Sequence, residues 1–206
     1  MTVRLYLETN FLVSHAMGRD SATSRLIEEV RTGLQIALPS CCVMEALTLM
    51  EGQRRRINQQ VGSNLAQINE FERNSASPHA TALVGLLQQA NRELDRGFVF
   101  FQDRMDRAIE WLSNSEHVEL LATRPNGLSL FSGMTFEAEP TDQLILATIL
   151  DDAGAHPSSL KVLLTENHRC FHDEPTVRKT LQDAGIKKYF PRAAFFLQWY
   201  EAGAES

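Results

Sequence analysis

The hydrophobic pattern of the chain divides it into short apolar runs alternating with longer periodic segments. Val3 to Leu7, Gln35 to Leu38, Val118 to Leu121, Leu160 to Thr165 and Ile186 to Phe190 are short runs rich in branched and aromatic residues, the composition of buried strands. Between them lie segments that read as helix: Phe11 to Ala16, Ser24 to Arg31, Cys41 to Met50, Asp142 to Leu150, the stretch from Pro175 to Gly185, and Ala193 to Tyr200. Ser21 or Thr23, Ser40 and Thr141 stand as N-caps for three of these. Strands alternating with helices predict a three-layer α/β/α fold around a parallel sheet of about five strands, joined by right-handed crossovers.

One segment departs from that alternation. Ile57, Val61, Leu65, Ile68 and Phe71 form a stripe at spacings of three and four. After the breaker Asn74-Ser75-Ala76-Ser77-Pro78, a second stripe runs through Leu83, Leu87, Ala90, Leu94, Phe98, Phe101, Met105, Ala108 and Leu112. Two such stripes around a tight turn predict an antiparallel helical hairpin over residues 52–114, within a single domain covering 1–206. Its apolar stripe is long for one helix pair to hide, which gives the expectation of a homodimer formed through it. Pro125-Asn126-Gly127 marks a turn, and the chain from there to Pro140 has little pattern.

Composition narrows the class without naming a function. A net charge of −6 argues against a chain coated in nucleic acid, though not against a local basic groove. No apolar run nears the ~20 residues that span a bilayer, so no membrane partner is expected. The N-terminus has no signal-peptide pattern. Three cysteines, Cys41, Cys42 and Cys170, make neither a disulfide framework nor a zinc site, and a reduced, cytoplasmic protein is the expectation. His168 and His172 would share a helix face only if their loop were helical, which Pro175 argues against.

The candidate chemistry is carried by polar residues at strand ends. The first strand stops at Glu8, Thr9 and Asn10, and the fourth at Thr165, Glu166, Asn167 and His168. Two apolar helices each carry one carboxylate near their start, Glu45 and Asp142. Each has a plain structural reading: Thr9 or Asn10 as a helix cap, Asp142 as an acid suited to a helix N-terminus, Glu45 as the partner of an arginine such as Arg4. In a parallel sheet, however, all of them lie at the carboxyl ends of strands, where open α/β folds bind ligands. Three carboxylates converging there repel unless a cation neutralises them, and an all-oxygen set suits Mg²⁺ or Mn²⁺.

These motifs in their order, Leu7-Glu8-Thr9-Asn10-Phe11, Leu38-Pro39-Ser40 with Glu45-Ala46, Pro140-Thr141-Asp142 with Ile145-Leu146-Ala147, and Leu163-Leu164-Thr165-Glu166-Asn167 with Phe171, resemble the PIN domain. That family includes metal-dependent ribonucleases, among them toxins of toxin–antitoxin modules. The resemblance covers most of the chain outside residues 52–114, which it makes a long insertion. It implies Glu8, Glu45 and Asp142 as catalytic carboxylates that, with Asn167, hold Mg²⁺ or Mn²⁺, and Thr9, Asn10 and Thr165 as residues that orient them. It also implies endonucleolytic hydrolysis of RNA and an antitoxin protein as partner. Two positions depart from the family pattern: Glu8 stands where an aspartate is usual, and Asn167 supplies a neutral oxygen. These departures keep open the alternative of a catalytically degraded PIN-like module that binds RNA or protein. An α/β phosphotransfer domain of haloacid-dehalogenase or receiver type needs an aspartyl nucleophile after the first strand and ranks last. Arg54, Arg55, Arg56, Lys187, Lys188 and Arg192 are the basic residues available to contact an RNA backbone.

Overall fold

A computed structural model describes residues 2–29, 32–74, 76–123, 140–167, 171 and 173–203. The turn at 125–127 and residues His168, Cys170 and His172 fall outside them.

Five strands form one all-parallel sheet in the order β3-β2-β1-β4-β5: β1 (Val3–Leu7), β2 (Leu34–Pro39), β3 (Val118–Leu121), β4 (Leu160–Leu164) and β5 (Ile186–Phe190). The seven described helices are α1 (Thr9–Ala16), α2 (Ser21–Glu28), α3 (Ser40–Glu72), α4 (Pro78–Asn114), α5 (Pro140–Ala155), α6 (Pro175–Asp183) and α7 (Ala193–Glu201). This is the three-layer α/β/α architecture that the alternating pattern predicts.

β1 is central and buried along its whole length, with Leu5 paired to Ile36 on one side and Val162 on the other. Buried on both faces, it reads as a nearly continuous apolar run. Its two polar members, Arg4 and Tyr6, share one face and meet Asp152 of α5. From β1 the chain steps outward through β2 to β3, then returns to the far side of β1 as β4. Strand order therefore reverses between β1 and β4, and their carboxyl ends flank the crevice such a reversal opens.

The helical segment differs from expectation in its joints. α3 is continuous from Ser40 to Glu72, so the helix that carries Glu45 is also the first arm of the long helical pair. α3 and α4 touch at Asn64–Asn91 and again at Arg54–Phe98, contacts that run in opposite senses along the two helices. The stripe is not uniformly inside: Leu65 and Leu83 are exposed, whereas Asn64 is buried and donates to Asn91 at 2.7 Å. From Phe101 onward α4 joins the domain core, with Trp111 against Phe11 and Arg104 Nε donating to the His15 carbonyl at 2.7 Å.

Three predicted caps move by one to three residues. Pro39 precedes α3, making Ser40 its first helical residue. Asp20, not Ser21 or Thr23, caps α2, and α5 begins at Pro140, so Thr141 lies inside it. The first turns of α3 are less enclosed than their composition suggests, because Cys42 and Ala46 are buried but Met44 is 67% exposed. Only one stripe of that helix packs on the sheet.

Candidate metal centre at the carboxyl ends of the sheet

Glu8 lies at the junction of β1 and α1, and it takes the capping role that Thr9 or Asn10 would fill on sequence grounds. Its backbone is extended (φ −127°, ψ 179°), and Oε2 accepts the Asn10 N–H at 3.0 Å. The other oxygen, Oε1, accepts from the Glu166 N–H at 3.3 Å and from Thr165 Oγ1 at 3.4 Å. One carboxylate thereby ties the end of β1 to the segment after β4. Only 2% of Glu8 is exposed, and burial pushes its carboxyl pKa up to about 7, against the opposing pull of the Asn10 and Glu166 N–H groups.

Thr165 and Asn167 extend this contact towards α5. Thr165 Oγ1 accepts the Asn167 N–H at 3.0 Å, and Asn167 Nδ2 reaches both carboxylate oxygens of Asp142 at 3.3 and 3.4 Å. Asp142 lies in the first turn of α5, where the helix dipole favours an anion. Glu45, on the second turn of α3, is bonded to Thr9, whose Oγ1 donates to Glu45 Oε2. Arg4 is bonded elsewhere, so pairing with Arg4 does not account for Glu45. The Cys42 thiol is buried beside Thr9 and close enough to Glu8 to feel its charge; burial pushes its pKa up. The structure thus joins Glu8, Thr165, Asn167 and Asp142 in one chain of hydrogen bonds, with Thr9 and Glu45 beside it.

The carboxylates of this crevice are spread out. Among the described residues, the group of three acidic, histidine or cysteine ligands with donor atoms all within 4.8 Å of one another is Glu119, Asp152 and His156, and residues 8, 45 and 142 do not form such a group. That second cluster holds an internal cation. Arg4 Nε donates to Asp152 Oδ2 at 2.6 Å, and its Nη2 reaches Asp152 Oδ1 at 2.8 Å and Glu119 Oε2 at 2.7 Å. Tyr6 adds a hydroxyl to Asp152 at 2.8 Å. Burial works against the Arg4 charge, but the two carboxylates more than restore it, raising its pKa. A metal there would have to displace a buried guanidinium. The sequence contains the signal for this cluster, a charged residue and a tyrosine two apart in an otherwise apolar strand, which places both on one face.

The basic residues do not gather at the crevice. Arg54 lies over the Phe98 ring at 6.0 Å, Arg55 pairs with Glu51 at 3.2 Å, and Arg56 is exposed. All three sit roughly 14 Å or more along α3 from Glu45. Lys187 and Lys188 lie on the edge strand β5, with Lys188 4.6 Å from the Trp199 ring centre. Arg192 precedes α7, close to the segment after β4. Cys41 and Cys42 are unpaired. No helix among the described residues is long and apolar enough to cross a membrane.

No protein-family model matches the chain, and no curated protein matches it.

Proposed function

We propose that the protein is a divalent-metal-dependent endoribonuclease of PIN type, hydrolysing RNA phosphodiesters at the crevice formed by Glu8, Glu45, Asp142 and Asn167. The observation that supports this most is the hydrogen-bonded chain from Glu8 through Thr165 and Asn167 to Asp142, set at the strand-order reversal. Glu8, Glu45 and Asp142 supply carboxylate oxygens, and the bonds that hold Glu8 come from N–H and O–H groups. A cation would offset the desolvation of the buried Glu8 carboxyl, whose pKa burial pushes up to about 7. The spread of the carboxylates suits Mg²⁺ or Mn²⁺ bound partly through water rather than a closed cage. Such an ion, when bound, supplies an acidified water and charge neutralisation at the scissile phosphate.

The chain's own residues do the positioning. The Asn10 and Glu166 N–H groups and Thr165 Oγ1 fix both oxygens of Glu8, and Thr9 fixes one oxygen of Glu45. Asn167 holds Asp142, and turning its amide over would aim Oδ1 at the crevice instead of Nδ2. Glu45, half-buried on α3 where Glu8 is buried, is a carboxylate open enough to accept a proton from an attacking water.

One observation favours the alternative of a non-catalytic PIN-like module: Glu8 spends both oxygens on capping α1 and on the segment after β4. The exposed Leu65, Leu83 and Leu86 along α3 and α4 suit a protein partner, an antitoxin or a second copy. Incubation with single-stranded RNA and Mn²⁺ separates the two readings. Cleavage that stops in EDTA supports the nuclease. Cleavage that persists in EDTA overturns it, and RNA binding without cleavage supports the binding module.

A further inference from the structure

Along the outer side of α3, Arg55, Asn58, Gly62, Leu65, Asn69 and Glu72 recur at alternating spacings of three and four, which puts them on one stripe of the helix. All six are exposed. The stripe through Ile57, Val61, Asn64, Ile68 and Phe71 is the more buried side, where Asn64 bonds Asn91 of α4. The outer stripe is therefore a separate face, not the apolar seam of the hairpin.

The middle of this face is unlike an ordinary solvated helix side, which carries charges. No charged residue occurs from Ile57 to Asn69, in a chain that is 22% charged. Such depletion marks the centre of protein interfaces. Leu65 lies in that segment and is 50% exposed. Gly62 stands one turn before it in the helix interior, where glycine disfavours the helix. A Cβ there would meet no atom within 4 Å, so packing among the described residues does not call for glycine. At the two ends of the face are a cation and an anion: Glu72 is exposed, and Arg55, though its Nε bonds Glu51, is 74% exposed.

The order of residues along the stripe identifies its occupant, because the stripe is complementary to its own reverse. Arg55 answers Glu72, Asn58 answers Asn69, and Gly62 answers Leu65. All three pairs share one midpoint, between Ser63 and Asn64, so a single two-fold axis there satisfies them together. A different protein would place no such requirement on the order; a second copy does. We infer that α3 docks antiparallel against α3 of a second copy of this chain. Leu65 of each copy fills the space over Gly62 of the other, the amides of Asn58 and Asn69 meet, and Arg55 pairs with Glu72. The contact is isologous and closes as a dimer. Glu45 lies roughly 28 Å along α3 from the axis, so the two crevices stand roughly 55 Å apart along the helices and neither borrows residues from the other. The dimer is thus independent of the nuclease reading.

The test is sedimentation equilibrium of the full chain at rising concentration, in EDTA, with circular dichroism to check that each variant is folded. The expected result is a reversible monomer–dimer equilibrium. L65D should weaken the dimer about a hundredfold, since both copies lose a packed side chain. R55E or E72R alone should weaken it about tenfold by setting like charges opposite one another twice. The double variant R55E/E72R should restore most of the affinity, because the pairs are swapped and not lost. L83D/L86D, on the other helix, should leave the dimer unchanged. A chain that stays monomeric throughout, a dimer that survives L65D, a double variant no better than the single ones, or a dimer lost in L83D/L86D would each overturn the assignment. None of these outcomes bears on RNA cleavage, and loss of cleavage leaves the dimer standing.

Discussion

The same sheet carries two acidic clusters, and they are built on opposite electrostatic terms. On the face under α5, Asp152 and Glu119 share Arg4 between them, and Tyr6 adds a further donor, so the buried guanidinium is paired within the fold. At the carboxyl ends of β1 and β4, Glu8 is held by N–H and O–H dipoles alone, and its carboxyl pKa rises to about 7. The first arrangement is complete without a ligand. In the second, the buried Glu8 carboxylate is hydrogen-bonded without an arginine or lysine among the described residues, a condition in which an added cation gains most. Compactness is therefore a poor guide to which cluster works. The tighter set already contains its cation.

This contrast can be broken at either end. The largest effect is expected at the crevice: Asp142→Asn should lower RNA cleavage at least about a hundredfold while leaving thermal stability within about 0.5 kcal/mol, because the amide can still sit at the start of α5. Comparing cleavage rate and melting temperature on one preparation checks both halves. At the other cluster the order is reversed. Asp152→Ala should cost up to about 3–5 kcal/mol of stability, measured by urea unfolding, by removing two of the three carboxylate bonds to the buried Arg4 and leaving it Glu119 alone, and replacing Arg4 with Met in the same chain should restore much of it.

Glu8 gives an effect of intermediate size with a definite sign. Its folded pKa lies above the unfolded value of 4.5, so the folded state binds the extra proton between about pH 4.5 and 7. That contribution is fully present below the lower value and is lost as pH rises through about 7, a fall of roughly 3 kcal/mol across the window. Glu8→Gln should flatten this slope in unfolding curves taken from pH 4 to 8, and Mn²⁺ should recover stability at pH 8 in the parent but not in the variant. The smallest expected change is Thr9→Val, which removes the bond to Glu45 and should cost about 1 kcal/mol in the same assay.

The layers and strand order of the fold were legible because each strand of the sheet is a short apolar run and each break carries a recognisable stop. Positive φ at Gly33 and Gly185, for example, closes the turns into β2 and β5. Caps were less legible. Asp20 and Glu8 cap through side chains whose neighbours Ser21, Thr23, Thr9 and Asn10 are equally good capping types, and local sequence does not rank them. The site was legible as a list of strand-end residues, since a parallel sheet brings such positions to one edge whatever their separation in sequence. Its connections were not. That Glu8 bonds to Thr165, or that Arg4 serves Asp152 rather than Glu45, depends on strand order and side-chain direction, which periodicity does not carry.

The central claim, that the looser of the two acidic clusters is the one that takes a metal, is tested most directly by a crystal of the protein equilibrated with Mn²⁺ and measured at the manganese edge. The expected result is an anomalous peak bounded by Glu8, Glu45 and Asp142, with Arg4 still paired to Asp152. A peak between Glu119, Asp152 and His156 with none at the crevice would contradict it.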